Sequence, residues 1–323
     1  MAKNSKQACA KRIMIYEASI VVPIYNEINF LNTLCYKIKD TFQNIKIKYI
    51  FIDDGSNDGS LEWLKNNLEL VFNKEEFELI ILQKNFGKGY AIKEGIKKAE
   101  GKYTIFLDSD LEYEPQDLLE MYYMARKNNN IEVLYGSRNL GSKIQLRRYF
   151  LNKIAVNINT WIYNFLFNQS LSDLHTGSKI INTDLAKDLN INTNGFGLEI
   201  VISSEIARRN LNIYEYGISY YERTVEQGKK ITFVDGFKSY YFLFRERFVN
   251  NDVPTQISIL YSFIFMTYAG TYFGMGTGKI LAILLFIIIG LKIALSRKIL
   301  QLSIIFFLIY VGSLFSKGNG RIY

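Results

Sequence analysis

The chain has 323 residues, a formal net charge of +8 and a hydrophobic fraction of 49 %. One histidine, His175, and two cysteines, Cys9 and Cys35, exclude a multi-histidine zinc centre and a disulfide framework, and they fit a reducing compartment. The basic residues are dispersed, with no arginine-rich helix and no aromatic RNA-binding signature, so the charge points to phosphorylated substrates or an anionic membrane and not to nucleic acid.

Residues 1–17 form a polar, basic tail without the apolar stretch of a secretory signal, which leads us to expect the following domain on the cytoplasmic side. From Ala18 the pattern alternates between short β-rich runs and helical periodicity. Strands are expected at 19–23, 48–53, 78–83, 103–107 and 131–135, with helices at 29–41, 58–70, 89–99 and 116–127 between them. Asp58 reads as the N-cap of the second helix. Alternation of this kind implies βαβ units, hence an α/β, Rossmann-like, mostly parallel sheet with helices on both faces. Ligands of such sheets bind beyond the carboxyl ends of the strands. Three polar clusters fall there: Asn26-Glu27, Asp53-Asp54 and Asp108-Ser109-Asp110.

Residues 140–235 are less regular, with helices expected at 145–167 and 197–209. The stretch 229–244 is an aromatic-basic amphipathic segment suited to a membrane surface or to packing on the domain. The domain plan is then a catalytic domain at 18–235, a juxtamembrane segment at 236–256, a transmembrane region at 257–316 and a tail at 317–323. The apolar stretches 257–275, 280–295 and 299–315 allow two or three membrane helices. Arg297-Lys298 is the basic cluster between the last two, and the positive-inside rule puts it in the cytoplasm.

The chemistry centres on Asp108-Ser109-Asp110. Two carboxylates one residue apart after a buried strand can converge on a hard cation such as Mg2+ or Mn2+, whose shell substrate phosphates commonly complete. Asp53-Asp54-Gly55-Ser56 ends another strand, where carboxylates can accept hydrogen bonds from a base or ribose, or simply form a turn.

The run Ser19-Ile20-Val21-Val22-Pro23-Ile24-Tyr25-Asn26-Glu27, followed by Asp53-Asp54-Gly55-Ser56, resembles the opening of glycosyltransferase family 2. Asn85-Phe86-Gly87-Lys88-Gly89, Asp108-Ser109-Asp110-Leu111-Glu112 and Tyr135-Gly136-Ser137-Arg138 continue the resemblance. Asp173-Leu174-His175-Thr176-Gly177-Ser178-Lys179 and Tyr221-Glu222-Arg223-Thr224 leading to Gly228-Lys229-Lys230-Ile231 complete it, and these last motifs with the apolar tail resemble the polyprenyl-phosphate branch.

The resemblance implies a GT-A fold and a nucleotide-sugar site drawing on Pro23, Tyr25, Asn26, Glu27, Asp53, Asp54, Lys88 and Ser109. It implies a metal held by Asp108 and Asp110 with Glu112, where the branch often has glutamine. Asp173 matches an acid near the transferred sugar, and Glu199 falls in the acceptor region. Relatives with such a tail are often homotetramers, so a homotetramer is an assembly the resemblance allows, while the sequence itself does not specify the oligomeric state. The implied reaction is an inverting, metal-dependent transfer of sugar from a UDP- or GDP-sugar to a polyprenyl phosphate at the cytoplasmic membrane face. A phosphate monoester is largely dianionic near neutral pH and needs neutralising cations and no enzyme base. Arg138 and Arg223 are the foremost catalytic cations, and Arg147, Arg148, Lys229 and Lys230 extend the acceptor-phosphate set. A hydroxyl acceptor on a glycan or lipid-linked oligosaccharide would instead require a base, for which Asp173 is the candidate.

Overall fold

The structure is a computed structural model, and it describes residues 16–250 apart from 129, 142, 196, 225 and 227–232. The expected membrane region, the C-terminal tail, most of the N-terminal tail, Lys229 and Lys230 therefore lie outside the described residues. Among the described residues no helix is long and apolar enough to cross a membrane. The chain divides into two units, residues 1–160 with 171–239 and residues 161–170 with 240–323.

The first unit is built on a seven-stranded sheet. Its strands are β1 (Ala18–Ile24), β2 (Ile47–Asp53), β3 (Phe77–Ile81), β4 (Tyr103–Phe106), β5 (Val133–Ser137), β7 (Lys179–Asn182) and β8 (Tyr214–Gly217), in the order β3-β2-β1-β4-β7-β5-β8. A two-stranded ribbon pairs β6 (Gln145–Leu146) with β9 (Tyr220–Tyr221). β1 to β4 run parallel, as the βαβ pattern requires, whereas β7 enters antiparallel to both β4 and β5. That inserted strand was not foreseen: Lys179–Asn182 is only four residues long and carries no helical crossover to announce it.

β1 is a near-continuous apolar run because helices cover both faces of it. Ile20, Val22, Ile24, Phe51 and Ile105 share a core with α1 (Ile28–Thr41), α2 (Ser60–Val71) and α4 (Pro115–Lys127). Val21 and Ile52 face α3 (Lys88–Lys98), which approaches closely at Gly95: a Cβ there would lie 2.5 Å from Val21 Cγ1. Pro23 is tolerated in this central strand because the ladder to β4 ends at Val21–Phe106. Its carbonyl turns toward the β4 side and accepts the Ser109 hydroxyl at 3.0 Å.

Three local expectations are corrected. The long helix α5 runs Phe150–Phe167 and not from 145, because Gln145 and Leu146 are drawn into the ribbon with Tyr220 and Tyr221. Asp58 is not the N-cap of α2: Gly59, at φ 96°, takes that place, and Asp58 accepts from the Ser60 amide and also from the amide of Ile28, tying α2 to the start of α1. β5 begins at Val133, two residues later than expected. The remaining helices are α6 (Thr183–Asp188), α7 (Leu198–Arg208) and α8 (Phe233–Phe244).

In the second unit, Tyr163 and Phe167 stack with ring centroids 4.9 Å apart. Residues 245–249 form a π-helical turn, in which the buried Glu246 pairs with Arg245 at 2.7 Å.

Candidate active site

Parallel register brings the carboxyl ends of β1, β2 and β4 to one edge, with Ile24 level with Asp53. Asn26 and Glu27 follow β1, Asp53 closes β2 and Asp54 follows it, and Asp108-Ser109-Asp110 follows β4. Asn26 at φ 55° and Leu111 at φ 57° hold left-handed conformations that turn the chain sharply at two of these ends.

Asp54 has a structural role. Its oxygens accept the amides of Phe86 and Gly87 at 2.7 and 2.8 Å, fixing the loop that carries Lys88. Burial outweighs these two bonds and raises its pKa. Asp53 is fully buried; one oxygen accepts the Ser56 amide at 3.2 Å, while Oδ1 has no hydrogen-bond partner. A buried carboxylate oxygen left unsatisfied at a strand end is an acceptor suited to a ligand donor.

The two acids of the Asp-x-Asp motif each carry an internal cation. Lys88 Nζ sits 2.8 Å from Asp108 Oδ1 and 3.0 Å from Glu199 Oε1, the latter in the first turn of α7. Arg223 reaches Asp110 Oδ2 at 3.0 Å and Glu27 Oε2 at 2.8 Å. Glu112 is tied to the same corner: it accepts the Arg223 amide at 3.0 Å and the Tyr220 hydroxyl at 2.9 Å. Burial, reinforced by Asp108 and Glu112, pushes Asp110 up to about 7 despite Arg223. Burial opposes ionisation of Glu199 as well, yet Lys88 and Lys179 overcome it and hold the acid near 2. Gly177 permits the crowding, since a Cβ there would meet Asp108 Oδ2 at 2.2 Å.

The residues expected on the acceptor side separate into three groups. Arg138 forms a buried, two-pronged ion pair with Asp173, Nε to Oδ2 at 2.7 Å and Nη2 to Oδ1 at 2.8 Å, and its amide also donates to Oδ2. Burial alone would raise Asp173; Arg138 outweighs it and holds the carboxyl down at about 2. Arg147 anchors on the Arg138 carbonyl and on Asn139, and both guanidinium groups lie over the Tyr220 ring, at 5.0 and 5.9 Å from its centre. Together with Lys143, Lys153, Asn139, Gly141 and Gln145 they line an open cavity of about 390 Å³. Arg148 instead holds the Glu222 carbonyl at 2.9 Å, and Arg223 is engaged by the carboxylates described above. Tyr220 joins the two ends of the site, its face beneath Arg138 and Arg147 and its hydroxyl on Glu112.

Sequence reasoning missed Lys143, Lys153 and Tyr220. The lysines carry no motif, and Lys143 is positioned by Asp117 and Glu120 of α4, a long-range pairing. Tyr220 precedes the Tyr221-Glu222-Arg223-Thr224 motif by one residue, and its role depends on the ribbon register. Lys179 ends the Asp173-Leu174-His175-Thr176-Gly177-Ser178-Lys179 motif; it is buried over the Tyr135 ring at 4.6 Å, and burial lowers it to about 8. His175 is pushed by burial down to about 4, which keeps its imidazole neutral.

The donor chemistry of the Asp-x-Asp loop fits a hard divalent cation, with one limit. Among the described residues no three acidic, imidazole or thiol groups converge as a ready cage. Asp108 and Asp110 can supply two carboxylate ligands, so a cation would need substrate oxygens to complete its shell, the usual mode of Mg2+ at phosphates.

The mostly parallel α/β sheet, with carboxylates at its strand ends, has the architecture of a GT-A-type fold. The glycosyl transferase family 2 model matches residues 19–189, and the chain belongs to that family. Undecaprenyl-phosphate 4-deoxy-4-formamido-L-arabinose transferase of Pseudomonas fluorescens is 31 % identical over 137 residues, 42 % of this chain and 39 % of that protein. An uncharacterized glycosyltransferase of Synechocystis is 32 % identical over 127 residues, 39 % of this chain and 38 % of its own length. The matches thus span well under half of these relatives. Among solved structures, glucosyl-3-phosphoglycerate synthase of Mycobacterium tuberculosis superposes with a TM-score of 0.54 at 14 % identity, covering 72 % of this chain and 80 % of that one. At that identity the likeness is one of fold.

Proposed function

We propose that this glycosyltransferase moves a sugar, with inversion, from a UDP- or GDP-sugar to a polyprenyl phosphate at the cytoplasmic face of a membrane, with Mg2+ or Mn2+ as cofactor. The observation that carries this reading is the state of Asp173. Both its oxygens are spent on Arg138, whose guanidinium lines a cationic cavity, so the acid that a hydroxyl acceptor would need as base serves as a clamp. A dianionic phosphate needs the cavity and not the base. The name of the Pseudomonas relative supports the same acceptor class.

In this mechanism Arg138, Arg147 and Lys153 neutralise and orient the acceptor phosphate. One of its oxygens attacks the anomeric carbon from the face opposite the leaving group. The bond from that carbon to the nucleotide β-phosphate oxygen breaks, and the nucleoside diphosphate leaves with the electron pair. No proton moves. Asp108 and Asp110 would hold the cation, which supplies charge neutralisation to the departing diphosphate. Asp53, with its free buried oxygen, accepts from the base or ribose. The Mycobacterium tuberculosis enzyme of like fold is known with Mn2+ and UDP and with Mg2+ and UDP; here the metal reading rests on the Asp-x-Asp loop itself. Exposed Phe150, Leu151, Ile154 and Ile158 along α5, beside the basic cavity, support work at a lipid surface.

The test is transfer from labelled UDP- and GDP-sugars to undecaprenyl phosphate, with and without Mg2+ or Mn2+. A cation-dependent, organic-extractable product is expected. Nucleotide binding without any lipid product would move the acceptor to a hydroxyl compound.

A further inference from the structure

Arg223 is held by three carboxylates from two strand ends. Nη1 meets Glu27 at 2.8 Å, Nη2 meets Asp110 Oδ2 at 3.0 Å, and Nε lies 3.8 Å from Glu112. Its guanidinium also covers the Phe30 ring at 5.3 Å, and only 12 % of the side chain is exposed. The other oxygen of Asp110 accepts the Glu112 amide at 3.1 Å. Both oxygens of the second metal acid are therefore engaged, one of them by a permanent positive charge. A divalent cation on Asp110 would sit within a few ångströms of that guanidinium, where like charges repel strongly at low dielectric. Glu112, a glutamate where the family branch often has glutamine, adds a third negative charge holding Arg223 in place.

We propose that Arg223 is a built-in competitor of the divalent cation for Asp110, so that the cation loads effectively only together with a nucleoside diphosphate. The diphosphate contributes to the exchange twice: its oxygens complete the cation shell, and they offer Arg223 another anion. Coupling of this kind is reciprocal, so the nucleotide also binds more tightly when the cation is present. The proposal rests on the donor and cofactor reading above, but not on the identity of the acceptor.

The experiment is a Mn2+ titration of the full chain, followed by the electron paramagnetic resonance signal of free Mn2+, without nucleotide and then with UDP or GDP. Arg223→Gln should bind Mn2+ alone about tenfold more tightly than the unmodified chain, the equivalent of about 1.4 kcal/mol. Arg223→Lys, which keeps the charge, should stay near the unmodified value. With nucleotide present the gap between Arg223→Gln and the unmodified chain should narrow. Equal or weaker Mn2+ binding by Arg223→Gln overturns the proposal. A measurement on the unmodified chain guards against a variant that fails to fold: phenylglyoxal labelling of Arg223, read by peptide mass spectrometry, should accelerate several-fold once Mn2+ without nucleotide is raised to the concentration at which the titration shows the site filled. An unchanged labelling rate also overturns it. Neither readout uses an acceptor or follows sugar transfer, so a failed lipid assay leaves both results standing.

Discussion

Replacing Asp173 by asparagine separates a clamp from a catalytic base. The carboxylate is fully buried, Arg138 is 11 % exposed, and three donors of Arg138 converge on its two oxygens. Removing the charge leaves a guanidinium buried without its counter-ion, a change that costs about 3–5 kcal/mol. Asparagine keeps one acceptor oxygen but turns an amide N–H toward an arginine donor, so the loss should not fall much below that range. For a unit of this size each kcal/mol corresponds to about 2–4 °C, which puts the fall in Tm at roughly 10 °C. The assay is thermal and urea unfolding of Asp173→Asn, Arg138→Gln and the double variant. The double variant should be more stable than the sum of the single losses implies, with a coupling of about 2 kcal/mol. Transfer assays should show the Asp173→Asn defect chiefly as a raised KM for the phosphate acceptor. A variant of unchanged stability that has lost turnover at saturating acceptor would refute the clamp and restore Asp173 as a base.

The acid limb of stability follows from two ion pairs, Asp173 with Arg138 and Glu199 with Lys88. Asp173 and Glu199 are both held near 2, below ordinary carboxylate values, so the stability they contribute is fully present above about pH 4.5 and is lost as pH falls toward 2; urea midpoints measured from pH 6 to 3 should decline, and less steeply in Glu199→Gln. Gly177→Ala should displace Asp108 and reduce cation-stimulated transfer at least tenfold, whereas Gly195→Ala, with open space at its Cβ, should leave activity unchanged. Asp54→Ala strands two backbone amides and should cost about 1–3 kcal/mol, read as a lower urea midpoint together with faster proteolysis near residue 86. Cys35, buried and pushed up to about 12 by burial, should resist thiol reagents until the chain unfolds.

Much of this molecule was legible from local pattern. Period-two and period-3.6 hydrophobicity located β1 to β4 and α1 to α4 within a few residues, because each element buries one face and must repeat its apolar residues at the spacing of that face. The acids at the strand ends were legible for the same reason, since a buried strand leaves polar residues only where it emerges. Pairing across the chain was not legible. Asp173 read as an acid near the sugar, and only the fold, placing it beside a residue 35 positions away, made it the partner of Arg138. Arg223 read as an acceptor cation, yet it lies among Glu27, Asp110 and Glu112, up to 196 positions away. The sequence by itself determined the α/β sheet, the family and the places where chemistry could occur, because these depend on periodicity and on short motifs. Only the tertiary structure decided the antiparallel entry of β7, the ribbon that brings Tyr220 under Arg138, and which charge neutralises which. Those depend on three-dimensional neighbours, and for a buried charge the choice of partner outweighs anything its local sequence prefers.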